Sequence, residues 1–377
     1  MAKSTPPLDV LVLGEHPSAY LAALMLLDKP ALTVAHATIP DEKWPDRLVL
    51  INPRFFTLHK SLEKLKKKLS ATSVYGLSFL GPEPATRGEH RAKTVVGLVV
   101  EYRDVRKLVC QLAKEAGVRM LNPRELQIQQ VNEKGFQIHA DSHVLRPSAL
   151  LLAGALGPEP TKHLGLPEMF AADVMRRYSF VRLRGKNLAD LGPKPVIPMS
   201  LDLGRKLRWA WLLPGEDEVQ LAVEQPIDDA NPSAAELLNT WADVLRAHGI
   251  LKHAGTISPE QVQSLQIPSA GALSREIVAN RTLLFGPAGG FYTACLEDIY
   301  PNCWSAQFAV QAVRSALKEP HLQDALQPYR QTWGTTLGEY LRGPQQNLRF
   351  LLPLVYRNPV MSARMTESIL LGKSVVR

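Results

Sequence analysis

Cysteine is scarce in this chain. Cys110, Cys295 and Cys303 are scattered over 377 positions, odd in number and without metal-ligand spacing. That excludes a disulfide framework and leads us to expect a reducing, cytoplasmic setting. No run of 18 or more apolar residues exists, so no segment is a candidate for a membrane-spanning helix. The apolar stretch from Leu21 to Leu27 follows Asp9 and Glu15, and no small-residue cleavage site comes after it. No signal peptide is therefore expected. A Gly-x-Ser-x-Gly elbow, a Walker phosphate loop and a His-Glu-x-x-His pair are all missing. The ten histidines show no ligand rhythm, so no metal site is expected. Aromatic residues make up only 7% and do not interleave with basic strands, so nucleic-acid binding would rest on charge alone and is not expected.

The remaining composition, 45% hydrophobic and 21% charged, is that of a globular chain long enough for two packed domains. The net charge of +8 is unevenly spread. Arg54, Lys60, Lys64, Lys66, Lys67 and Lys68 face Glu63 alone. After Tyr340, Arg342, Arg349, Arg357, Arg364, Lys373 and Arg377 face Glu367 alone. Such patches suit an acidic substrate or peripheral contact with an acidic membrane surface; a solvated helix face is the plainer alternative.

Along the chain, Leu8 to Leu13 reads as a buried strand, and a glycine turn follows at Gly14 to Pro17. Ser18 to Leu27 has helical composition, and Ala31 to Ala35 reads as a second strand. Together they make a βαβ unit, the opening of a dinucleotide-binding domain. Asn52 to Leu69 reads as a basic helix. Val95 to Val100 reads as a strand, followed by a helix from about Val105 to Ala116. Further strands are expected at Phe136 to His139 and Ala149 to Leu152. From Tyr178 to Val223 the βα alternation stops and an antiparallel sheet is expected. Thr282 to Phe285 is again a buried strand, followed by the glycine turn Gly286 to Gly290 and a helix from about Tyr300 to Leu317. The last 50 residues read as helical, with Leu348, Leu351, Leu352 and Val355 at i, i+3, i+4 and i+7.

Four segments, in this order, bear on chemistry: Gly14-Glu15-His16-Pro17-Ser18-Ala19, Ala153-Gly154-Ala155, Trp209-Ala210-Trp211-Leu212-Leu213-Pro214, and Gly286-Pro287-Ala288-Gly289-Gly290-Phe291. The set resembles the FAD-dependent oxidoreductases of the geranylgeranyl reductase, flavin-dependent halogenase and aromatic hydroxylase type. The resemblance implies an α/β fold: a Rossmann-like FAD/NAD(P)-binding domain (1–170 and 270–320), an inserted antiparallel-sheet substrate domain (171–269) and a helical C-terminal region (321–377). It also implies FAD as cofactor, held near Gly14, Ser18, Ala19, Gly286, Ala288 and Gly289. Trp209 and Trp211 would wall a pocket for an apolar or aromatic small molecule, with Glu297 and Asp298 the nearest candidates for catalytic acids.

Several positions depart from that pattern. His16 and Ala19 stand where the family has glycine, and Gly154 with Ala155 where aromatic hydroxylases carry an Asp-Gly pair. Strand two ends Val34-Ala35-His36-Ala37 where an acid grips the ribose, and the first acids follow only at Asp41 and Glu42. Pro287 replaces the Asp that bonds the ribityl chain, and it removes a backbone N–H as well. Losing two charged hydrogen bonds removes about 3–6 kcal/mol, or two to four orders of magnitude in affinity. A second expectation therefore stands beside the oxidoreductase: a cofactor-free relative serving as a lipid-binding or protein-interaction scaffold.

Overall fold

The computed structural model describes residues 8–28, 32–40, 42–132, 135–154, 164–166, 169–205, 208–229, 231–252, 255–293, 299–332, 334–341 and 348–373. A central sheet of six strands is formed by β1 (Leu8–Leu13), β2 (Val34–Ala37), β8 (Arg119–Leu121), β12 (Pro147–Leu152), β18 (Val278–Ala279) and β19 (Thr282–Leu284). They lie in the order β18-β19-β12-β1-β2-β8. All neighbouring pairs are parallel except the β18–β19 edge pair. Helix α1 (Pro17–Leu26) is buried along its whole length, which its sequence dictates: a helix with apolar residues on every side has no face to give to water. It packs between the sheet, α2 (Tyr102–Glu115) and a later long helix. A three-stranded antiparallel unit, β9 (Leu126–Asn132), β10 (Gly135–Ala140) and β11 (His143–Leu145), leads into β12.

A seven-stranded sheet forms the second layer. Its strands are β5 (Gly76–Leu80), β6 (Arg87–Arg91), β13 (Met175–Arg184), β14 (Ile197–Ser200), β15 (Trp209–Pro214), β16 (Glu218–Pro226) and β17 (Gln263–Pro268), in the order β17-β13-β16-β15-β14-β5-β6. The block from Tyr178 to Val223 is thus antiparallel as expected, and β5 and β6 join it from much earlier in the chain, β5 running parallel to β14. Strand alternation gives the sheet two apolar faces. One, with Val181, Leu212 and Val223, packs on α3 (Ala234–Ala247), which opens with a Ser233/Glu236 capping box. The other, with Phe180, Trp211 and Met199, meets the small sheet of β3 (Leu48–Ile51), β7 (Gly97–Glu101) and β4 (Thr72–Val74).

Helix α4 (Ile299–Ala316) follows the late glycine turn and packs against α1. Near the C-terminus, α5 (Leu348–Arg357) and α6 (Pro359–Leu371) lay Leu352, Val355, Met365 and Ile369 onto the second face of the large sheet. The single helix expected over Asn52 to Leu69 is instead three short turns, Pro53–Thr57, Lys60–Glu63 and Lys64–Lys67. Asn52 and His59 explain the breaks, since each turns its side chain back to accept a backbone N–H two residues on, and so begins a new turn rather than continuing one.

Candidate functional site

Register brings the sequence cues together. Leu13 pairs with Leu152, and Leu152 with Leu284, so the segments after β1, β12 and β19 emerge side by side at the carboxyl edge of the parallel sheet. In open α/β sheets this edge is where ligands bind. The contact is close enough to require glycine. Gly14 has φ +128°, and a Cβ there would stand 2.7 Å from the Gly154 nitrogen. Gly286 has φ +58°, and a Cβ would stand 2.4 Å from Ser18 Oγ. Ala19 is wholly buried in the first turn of α1, and Ala288 donates its N–H to the Ala153 carbonyl at 2.9 Å. Gly14, Ser18, Ala19, Gly286, Ala288 and Gly289 are therefore at one junction. Ala155, Glu297 and Asp298 lie outside the described residues.

At the start of α1 the donors are taken inside the protein. An exposed helix N-terminus offers free N–H groups to an anion, but here Glu15 gives its N–H to the Glu42 carboxylate at 2.9 Å. Pro17 has none to give, Ser18 donates to His16 Nδ1 at 3.2 Å, and Ala19 donates to the His16 carbonyl at 2.9 Å. His16 is 0% exposed, with its ring 5.5 Å from that of Trp44 and 6.0 Å from that of Tyr102. The Arg47 guanidinium lies 4.0 Å above the Tyr102 ring. Glu42 also accepts from Trp44 Nε1 at 2.9 Å, and Glu15 pairs with Arg106 at 2.7 Å. Burial pushes the Glu42 carboxyl up to about 7, against the pull of the Trp44 and Glu15 hydrogen bonds. At the late turn the pattern repeats. Gly286 donates to Ser305 Oγ at 2.7 Å, and Pro287, wholly inside, has no N–H.

Beside this junction a cavity of about 640 Å³ opens between α2 and the ends of β2 and β8. Its α2 wall presents Lys107, Cys110, Gln111 and Lys114, spaced i, i+3, i+4 and i+7 along one helix face. That stripe is visible in the sequence, although no family motif marks it. His36, at the end of β2, forms part of the opposite wall. Its Nε2 lies 2.7 Å from the Gly14 carbonyl and its ring 4.5 Å from that of Tyr20. Burial pushes His36 down to about 4, with the Gly14 bond opposing, so the ring is neutral at physiological pH. The carbonyl contact makes Nε2 the protonated nitrogen, which leaves Nδ1 as a buried acceptor without a hydrogen-bond partner.

Trp209 and Trp211 share a face of β15, as their spacing predicts, and both belong to the core between the large sheet and the C-terminal helices. Trp211 is 0% exposed and stacks on Tyr178 with ring centroids 5.5 Å apart. Tyr292, from just after the late glycine turn, is buried in the same cluster. Register sets Glu224 of β16 opposite both Tyr178 and Trp209. Burial pushes that carboxyl up to about 7, with Arg176 drawing it back. Nothing in the sequence distinguishes Glu224 from its polar neighbours; only strand pairing sets it in the aromatic wall. A larger, polar cavity of about 1130 Å³ lies elsewhere, around Arg182, Glu101 and Glu218, and neither tryptophan lines it.

No protein-family model matches the chain, and no curated protein matches its sequence. Solved structures do match over nearly the whole length. A geranylgeranyl bacteriochlorophyll reductase-like protein from Thermoplasma acidophilum is 17% identical, with a TM-score of 0.73 over 93% of this chain and 91% of that one. A flavin-dependent brominase is 17% identical, with a TM-score of 0.67 over 97% and 93%. PqsL from Pseudomonas aeruginosa, solved in complex with 2-aminobenzoylacetate, is 16% identical, with a TM-score of 0.64 over 93% and 97%. At these identities the likeness is one of fold. The chain shares the α/β fold of these reductase-like, brominase and PqsL structures, the fold that the four sequence cues implied.

Proposed function

We propose that this chain is a flavin-independent relative of those oxidoreductases, a binding protein that keeps the fold and has closed the dinucleotide pyrophosphate site. One observation carries the reading: the Glu42 carboxylate accepts the Glu15 N–H at the start of α1. A pyrophosphate there would meet the Glu42 carboxyl group already seated on the Glu15 N–H, the His16 ring, and N–H groups engaged inside the protein. The residues at the junction do not fit that group. What stays open is the neighbouring cavity, whose Lys107 and Lys114 suit a small organic anion.

The oxidoreductase reading has its own support. The glycines at 14, 154 and 286 converge as a cofactor cradle would require, and Trp209 with Glu224 would give an apolar or aromatic substrate a wall and a carboxyl group close to neutrality. Purification and a thermal-shift titration separate the two. The flavin-independent reading expects colourless protein whose melting temperature is unmoved by saturating FAD. Flavin absorbance near one equivalent, or a clear rise in melting temperature with FAD, overturns it.

A further inference from the structure

The corner between α5 and α6 has a surface that the rest of the fold does not use. Among the described residues, Leu354 and Val360 are the two most exposed large hydrophobic side chains, at 48% and 60%. They flank the turn Arg357-Asn358-Pro359, and Pro353, Arg357 and Arg364 are exposed beside them. Helical spacing groups these residues: Leu354 and Arg357 are at i and i+3, Val360 and Arg364 at i and i+4. The inward side of the same helices is taken by Leu352, Val355, Met365 and Ile369, so the corner is amphipathic, with its apolar pair facing out.

The charge on this segment has one sign. From Tyr340 to Thr366 the sequence holds four arginines and no acidic residue. Among the described residues neither Arg357 nor Arg364 takes part in a salt bridge, while Glu367, the next acid along, is occupied by Lys373 at 3.0 Å. The corner is also tied down at several points. The Asn358 side chain accepts the N–H of Val360 at 2.9 Å, and Ser362 Oγ donates to the Val355 carbonyl at 2.6 Å. Tyr356 fixes the α5 side by donating to Asp202 at 2.8 Å. The protrusion therefore need not be ordered on binding.

We propose that this corner is a docking surface for an anionic membrane, with Leu354 and Val360 entering the interface between headgroups and acyl chains and Arg357 and Arg364 on the lipid phosphates. Two exposed apolar side chains, unpaired arginines on the same faces and the lack of acids are the combination that interfacial binding rewards. No helix among the described residues is long and apolar enough to cross a membrane.

Co-sedimentation of the full chain with vesicles tests this. Vesicles of phosphatidylcholine with ~30% phosphatidylglycerol should pull the protein down at low salt, and pure phosphatidylcholine vesicles should not. Each basic residue at such a surface is worth roughly fivefold in partitioning, so the double variant Arg357→Ala/Arg364→Ala should bind about 25-fold more weakly. Leu354→Asp/Val360→Asp should abolish binding while leaving the melting temperature unchanged, since both side chains lie on the surface. Absence of binding to the acidic vesicles overturns the proposal, and so does binding that either double variant leaves intact.

Discussion

Replacing Glu42 with glutamine should flatten the pH dependence of stability in a defined window. Burial raises this carboxyl from 4.5 to about 7 in the folded chain. Below pH 4.5 both folded and unfolded states hold the proton. Between 4.5 and 7 the unfolded chain releases it and the folded chain keeps it, so folding loses stability as pH rises, and above 7 the loss is complete. At 1.36 kcal/mol per pK unit the total comes to about 3 kcal/mol. A glutamine side chain cannot ionise, so that loss disappears; it also forfeits one of two accepted hydrogen bonds, which costs about 1 kcal/mol at every pH. His36, pushed down to about 4, contributes the opposite slope below 6.5, but it is common to both proteins and cancels in the comparison. Urea unfolding at about pH 5 and pH 8, followed by tryptophan fluorescence, gives the measurement. Wild type should lose about 2–3 kcal/mol more than Glu42→Gln between the two pH values, the remainder of the total falling below the lower one. Equal losses would mean that Glu42 is hydrated and ionised in the folded chain, and the burial that raises its carboxyl would be refuted.

Further outcomes follow from the same packing. Gly286→Ala places a Cβ 2.4 Å from Ser18 Oγ at a positive φ, so it should destabilise by about 1–3 kcal/mol. Adding Ser18→Ala should recover part of that, and strictly additive effects in a double-mutant cycle would contradict the contact. Trp211→Ala removes a fully buried indole stacked on Tyr178 and should cost about 3–5 kcal/mol in urea unfolding; a loss under about 1 kcal/mol would mean that the side chain faces open space. Ser233→Ala removes the side-chain half of the α3 capping box and should cost about 1 kcal/mol, with little change expected if Glu236 alone secures the helix start.

Much of the architecture was legible in the residues. The apolar runs from Leu8 and Ala149, the all-apolar α1 and the glycine turns are local signals, and each turned up as the element its pattern implies. Gly14 and Gly286 were legible for the same reason, since a backbone turn at positive φ selects its residue without reference to distant chain. The helix expected over Asn52 to Leu69 was not, because the caps at Asn52 and His59 compete locally with its periodicity.

What tertiary structure alone decided is which donors are spent and which side chains meet. Glu42 lies 27 residues from the Glu15 N–H it accepts, and Glu224 meets Trp209 only through strand register. His16 read as a missing glycine in the sequence; in the fold it is the cap of α1 and part of a packed aromatic cluster. Periodicity and turn chemistry are properties of neighbouring residues and survive in one dimension. Occupancy of a site depends on side chains brought from separate segments into one small volume, and that becomes determinate only when the chain has closed around it.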